Sequence, residues 1–282
     1  MTSPAVAPSG DDALFHPDGA DVVPTEYARG PWTPDALHGG PVAALLARAV
    51  ESVPVDEPMH VTRFTVELLR PVPLARLSVS ASVVRPGRRV QLVEARISTG
   101  DRDVAWARAL RIRLQPPGSP SGSPGRELTG GGPVPGVDPG APPGPGGGYG
   151  SPTTIGAYRA FHNAGAELRY VAGAFDQRGP ATVWVRLAVP VLPGEEPTPL
   201  QRVVAASDFG NGVSSELDFA HHVFINPDLT VTLHRPALGE WVCLDASTII
   251  GIPGVGVAQS ALWDVHGPLG RSVQSLLVEP RA

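Results

Sequence analysis

Two stretches of this chain repeat each other at a constant spacing, and a chain that repeats itself folds as like units that bury their faces against one another. VEARISTGDRDVAWARALRIRL, beginning at Val93, falls without gaps on AQSALWDVHGPLGRSVQSLLVE, beginning at Ala258, apolar on apolar and turn on turn. ELLRP ending at Pro71 and TLHRP ending at Pro236 lie at the same spacing of 165 residues. A duplication is the simplest explanation, and 282 residues leave room for two units of roughly 100 to 150 residues each.

The boundary between the units is written in composition. Gly and Pro each number 33, and they crowd into residues 116–152, PPGSPSGSPGRELTGGGPVPGVDPGAPPGPGGGYGSP, where almost nothing apolar is available to bury. This segment reads as a mobile, partly extended linker between residues 1–115 and 153–282.

Within the first unit a polar leader precedes HGGPVAALLARAVESV, in which Val42, Leu45, Leu46, Ala49, Val50 and Val53 recur at helical spacing. Its alanines let a helix lie close to a neighbour, and Pro41 suits a first turn. Strand-like runs follow at residues 60–70, 77–85, 90–98 and 104–114, each mixing Val, Leu, Ile and Thr with polar residues. The second unit repeats the order: a strand at 182–189, a short helix at 199–208, and strands at 223–234, 240–249, 256–265 and 269–278. The fold class implied is α+β, two repeats of a helix wrapped by an antiparallel sheet, with the sheets joined side by side so that two edges disappear.

Charge and cysteine content exclude several functions. The net charge of -5 gives no global attraction for nucleic acid or an anionic membrane, and no run of about 18 apolar residues would span a bilayer. Cys243 is the single cysteine, so neither an intrachain disulfide nor a cysteine-based zinc site is expected, and no cofactor is implied. The expectation is a cytoplasmic protein with no nucleic-acid or membrane partner. GxSxG, GxxxxGK[ST] and HExxH are all missing, which removes serine-triad acyl transfer, phosphate-loop nucleotide hydrolysis and HExxH zinc chemistry. His221 and His222 are strand neighbours that point to opposite faces, so they make a poor metal pair.

HGGPVAALLARA after a loop bearing Gly30, Pro31 and Trp32, the RP strand ends, AASDFGNG, and the terminal GRSVQSLLVE together resemble the bacterial acyl-CoA thioesterase II family, over nearly the whole chain outside the linker. The resemblance implies a double-hotdog fold and an acyl-CoA substrate. It also implies a water-activating set of Asp, a hydroxyl residue and Gln in the second unit. The Asp falls on Asp208 and the Gln on Gln274. The hydroxyl position falls on Asn226, a departure, since an amide can hold a water but supplies no hydroxyl; Ser207 and Thr230 are the nearest substitutes along the chain.

Thioester hydrolysis needs an activated water, a donor for the developing oxyanion and a slot for the acyl chain. Asp208 fits the general base, Asn226 and Gln274 the orientation of water, and His38, Gly39 and Gly40 a substrate-binding helix start with backbone N–H donors. Each residue also has a structural reading: an Asx-turn or helix-end residue for Asp208, a buried hydrogen-bonding amide for Gln274, a turn before Pro227 for Asn226, and an N-cap for His38. Arg85, Arg88 and Arg89 flank a Pro-Gly turn that could meet a coenzyme A phosphate or simply be solvated. A second functional reading follows from Asn226: an acyl-group or acyl-CoA binding protein that keeps the fold with little or no turnover. Either version is expected to form a homo-oligomer, a dimer by default.

Overall fold

A computed structural model describes residues 12–115, 141–151 and 158–281. In chain order it contains β1 (Phe15–Asp18), β2 (Asp21–Pro24), α1 (Gly39–Ser52), β3 (Met59–Leu68), β4 (Ser78–Arg85), β5 (Val90–Thr99), β6 (Arg102–Arg113), β7 (Ala166–Ala172) and β8 (Ala181–Leu187). These are followed by α2 (Pro199–Ser207), α3 (Gly210–Val213), β9 (His222–Ile225), β10 (Asp228–Leu233), β11 (Val242–Ile250), β12 (Val255–Asp264) and β13 (Gly267–Pro280). Apart from the β1–β2 hairpin, the strands form one sheet in the order β4-β5-β6-β3-β10-β13-β12-β11-β8-β7, with β9 also on β13. The two longer helices, α1 and α2, pack on one face of it, which is the double-hotdog arrangement of the α+β class.

The two half-sheets meet where β3 pairs antiparallel with β10, and the register places Thr65 opposite Thr230, two residues that share one place in the repeat. Their hydroxyls lie 3.2 Å apart across a chain separation of 165 residues. Glu67 faces Asp228 and Arg63 faces Thr232, so rotation about the Thr65–Thr230 pair carries the seam onto itself. Joining the sheets this way satisfies the backbone groups that two separate half-sheets would leave on edges.

α1 and α2 run antiparallel and close together because the residues between them are small: Ala43, Ala44, Ala47, Ala205 and Ala206 are all essentially buried. One end of the pair is fastened by Glu51, which accepts hydrogen bonds from Thr198 Oγ1 at 2.8 Å and Gln201 Nε2 at 3.0 Å. Thr198 and Gln201 also form a capping box at the start of α2, where Pro199 adds a preset φ. Arg111, itself buried, donates to the carbonyls of Val50 and Val53 and so closes the C-terminal end of α1.

Four features differ from the expectations, the first being β7, a strand over Ala166–Ala172 where none was expected. The polar leader, where described, contains the β1–β2 hairpin; Leu14 and Phe15 bond backbone to backbone with Pro190 and Val191, and Val22 pairs with Leu77, so this segment fastens to both halves. Most of the expected linker lies outside the described residues, but its described end is held: Trp184 donates to the Pro143 carbonyl at 2.7 Å and Tyr149 pairs with Tyr170. The single strand expected over 223–234 is broken at Asn226 and Pro227. Ile225 faces Leu277 and Thr230 faces Val273, so five steps on one strand oppose four on the other. Proline has no N–H for the ladder, and the extra residue forms a bulge there.

The outer corner of the second half depends on one buried ion pair. Asp264 accepts from Arg235 at 2.6 and 2.7 Å, and from the backbone N–H groups of Leu238 and His266, each at 2.8 Å. Burial pushes the Asp264 carboxyl up, but these donors outweigh it and hold the group below the usual carboxylate range. A depressed carboxyl contributes stability above its unfolded pKa and loses it as pH falls through the folded value. Arg235→Ala leaves Asp264 charged and buried, and should cost about 3 kcal/mol at neutral pH. Chemical denaturation should show that difference, and the gap to wild type should narrow under acid.

Candidate active site

The antiparallel helix pair sets the N-terminus of α1 against the C-terminus of α2, and all six residues singled out from the sequence meet there. Asp208, the C-cap of α2, is 4% exposed. A carboxylate removed from water needs partners, and it has them on both oxygens. Asn226 Nδ2 donates to Oδ1 at 2.8 Å, and His38 Nδ1 lies 2.8 Å from Oδ2. Gln274 Nε2 donates to the Asp208 backbone carbonyl at 3.2 Å and reaches within 3.5 Å of Oδ1.

Each partner arrives by a local feature of the sequence. β13 alternates strictly, with Ser272, Gln274 and Leu276 buried between exposed neighbours, so period-two geometry alone turns Gln274 toward the helices. Asn226 sits at the bulge before Pro227, where the ladder is interrupted and a side chain can be re-aimed. Its amide nitrogen also donates to the Asp228 carbonyl at 3.1 Å, while its amide oxygen has no partner among the described residues. That oxygen is free to accept from a water. His38 is the N-cap of α1, with Gly40 N–H 3.1 Å from its Nδ1.

The glycines serve close packing. A Cβ on Gly39 would lie 2.6 to 2.9 Å from the Asp208 carboxylate atoms, and one on Gly40 would lie 2.7 Å from the Ala205 carbonyl and 2.8 Å from the Phe161 ring. The space beside these two residues is filled by the second half of the chain. Gly39 is the first residue of α1, and its N–H has no partner inside the helix, so a donor remains at this end for an anionic oxygen.

Several site residues were not singled out from the sequence. Asn211, inside the AASDFGNG motif, is buried; its backbone N–H donates to Gln274 Oε1 at 3.1 Å and its side chain donates to the Phe224 carbonyl at 3.2 Å. Gly210 lets Gln274 approach, since a Cβ there would meet Gln274 Oε1 at 2.8 Å and Ser260 Oγ at 3.1 Å. Ser260 is buried and its hydroxyl has no partner among the described residues. The His38 ring packs against both Phe161 and Phe209, with centroids 5.0 and 4.9 Å away, and the two phenyl rings stack on each other at 5.2 Å. Nothing in the spacing of these phenylalanines distinguishes them from core residues.

The suggested stand-ins for a hydroxyl are elsewhere. Ser207 Oγ donates to the Val203 carbonyl one turn back, and Thr230 is committed to the seam with Thr65. Trp32, at the entry to α1, meets Phe224 edge to face at 5.3 Å. Arg85, Arg88 and Arg89 are exposed at the β4–β5 turn. His221 pairs with Asp218 on the surface, and no group of three or more metal-ligating side chains occurs among the described residues.

The acyl-CoA thioesterase N-terminal domain model matches residues 28–112, and the acyl-CoA thioesterase C-terminal domain model matches residues 134–278. Among curated proteins none matches the sequence. Of the solved structures, a conserved protein of unknown function with a hot dog fold from Alicyclobacillus acidocaldarius superposes with a TM-score of 0.67 at 18% identity, covering 98% of this chain and 99% of its own. The tesB protein of Mycobacterium avium subspecies paratuberculosis gives 0.64 at 14% identity over 94% and 96%. An acyl-CoA thioesterase II from Mycobacterium marinum gives 0.61 at 18% identity over 88% and 93%. These structural likenesses carry the fold.

The contact between Gly39 and Asp208 leaves no room for a methyl group. Gly39→Ala should overpack the helix junction and lower stability by about 1 to 3 kcal/mol, read by denaturant unfolding.

Proposed function

Given that the chain belongs to the acyl-CoA thioesterase family and is a thioester hydrolase, we propose that it hydrolyses an acyl-CoA to free acid and coenzyme A with water activated at Asp208. The observation that carries this reading is the buried Asp208 carboxylate, gripped by Asn226 and lying against Gly39, the first residue of α1. A base and an oxyanion donor thus lie side by side, the pair that acyl transfer to water requires.

In this reading the water oxygen attacks the thioester carbonyl carbon while one of its protons passes to Asp208. Asn226 receives the same water through its unpartnered amide oxygen. The Gly39 N–H, at the positive end of α1, stabilises the oxyanion, with His38, Gly39 and Gly40 lining the substrate side. Collapse of the tetrahedral intermediate breaks the carbon–sulfur bond, and the proton held by Asp208 goes to the departing thiolate. Gln274 bonds the Asp208 carbonyl with one end of its amide and the Asn211 N–H with the other, so its part is to hold the carboxylate in place.

No helix among the described residues is long and apolar enough to cross a membrane. A cytoplasmic setting fits both the free, buried Cys243, whose thiol burial pushes up, and a coenzyme A thioester as substrate. Residues 1–115 and 153–282 are read as the two hotdog units and 116–152 as their linker. A homo-oligomer is favoured by Ile249, Val255, Val257, Val273 and Leu277, all exposed on strands β11, β12 and β13.

Free-thiol release from short-, medium- and long-chain acyl-CoAs tests the reading. Wild type should turn over at least one of them, and Asp208→Asn should lose about 100-fold or more in kcat while remaining folded. Acyl-CoA binding without thiol release by wild type would instead favour the acyl-binding alternative, which the missing hydroxyl at Asn226 keeps open.

A further inference from the structure

His38 and Asp208 come from different halves of the chain, yet they form one of the closest polar contacts of the site, 2.8 Å between Nδ1 and Oδ2. The His38 side chain is 11% exposed and that of Asp208 is 4% exposed. A ring nitrogen carries either a lone pair or a hydrogen. With a lone pair, Nδ1 would accept from Gly40 N–H but would press its electrons against the carboxylate. With a hydrogen, it donates to Oδ2 and the contact becomes favourable. At 2.8 Å from a buried carboxylate the second arrangement wins, because an unmatched charge in this setting costs more than losing the cap bond from Gly40 N–H.

We infer that His38 is a positioning residue for hydrolysis, the donor that fixes the second oxygen of Asp208 and leaves the first to face the water. This inference rests on the proposed function and deepens it. Asn226 orders Oδ1 from one side and Gln274 holds the backbone of the same residue, but neither meets Oδ2. Only His38 constrains that oxygen among the described hydrogen bonds and ion pairs, so it completes, from the other side, the hold on the carboxylate's rotation that Asn226 exerts at Oδ1. Phe161 and Phe209, stacked on each other, both pack against the imidazole and restrict its turning. The arrangement makes the site composite: the second half supplies the base and the first half supplies its orientation.

Capping and positioning are separated by two nearly isosteric substitutions. Asn and Asp both cap helices well, so a purely structural His38 predicts that His38→Asn and His38→Asp behave alike. A positioning His38 predicts a split, because Asn offers an N–H to Oδ2 while Asp offers only a second carboxylate. With a good acyl-CoA substrate, His38→Asn should keep kcat within about fivefold of wild type, whereas His38→Asp should lose about 100-fold in kcat with KM little changed, the scale of a misplaced reacting group. His38→Ser, which caps but is too short to reach Oδ2, should fall with His38→Asp and serves if that variant does not fold. Equal kcat for the Asn and Ser variants, or a loss confined to KM, would overturn the inference while leaving the thioesterase reading intact. Failure of that reading would show separately, as wild type without thiol release or Asp208→Asn without loss.

Discussion

The close antiparallel approach of α1 and α2 is the constraint on which the site depends. Helices can come this near only where side chains are nearly absent, and here alanines line the contact while Gly39 and Gly40 open its end. The same approach that saves space also joins unlike chemistry. It brings the positive end of one helix against the C-cap of the other, and that residue is Asp208. An acid at a helix C-terminus opposes its own helix dipole, but this one faces the N-terminus of a second helix, where negative charge is favoured. The apparent misplacement within one element is thus resolved by its neighbour.

The seam is symmetric and the site is not. At the repeat spacing, the strand position of Gln274 corresponds to Ala109 in β6, Asn226 to Val61 and Asp208 to Ala43. Ala109 faces Phe64 in the first half. Ala43 and Ala109 are buried among apolar neighbours, so the first half spends these places on core where the second places polar groups. A buried polar cluster is costly unless every member is paired, and building it once keeps the other half free for packing. The Thr65–Thr230 pair marks the axis about which this division of labour is made.

Much of this was legible in the residues. The repeat gave two helix-and-sheet units, and period-two alternation around Gln274 already placed its amide on the buried face. The resemblance put Asp208, Asn226 and Gln274 in one group, and the structure brings Asn226 and Gln274 each within hydrogen-bonding distance of Asp208. The illegible parts were those set by contacts between distant segments. The β1–β2 hairpin is too short for its pattern to stand out, and β7 draws its pairing from β8 and from Tyr149. Asn211 carried no spacing signal, because what distinguishes it is the amide of Gln274, 63 residues away. His38 read equally well as a cap or a substrate contact until α2 supplied the carboxylate beside it.

The bulge at Asn226 and Pro227 shows how a backbone irregularity becomes chemistry. A continuous strand over 223–234 would pair every residue with β13 and alternate side chains without exception. Pro227 removes a ladder donor, the extra residue shifts the register by one, and the strand on either side stays paired. The gap in the ladder is closed by a side chain: Asp228 Oδ1 accepts from the Ser275 N–H at 2.6 Å. The amide of Asn226 can then donate to Asp208 and to the Asp228 carbonyl while its oxygen stays unpartnered. A threonine or serine hydroxyl is a donor and acceptor on a short stem; an asparagine offers the same two functions on separate atoms, one spent on the carboxylate and one left for water. Asn226 thus reaches the carboxylate with its nitrogen while its oxygen stays open, and the bulge supplies the reach.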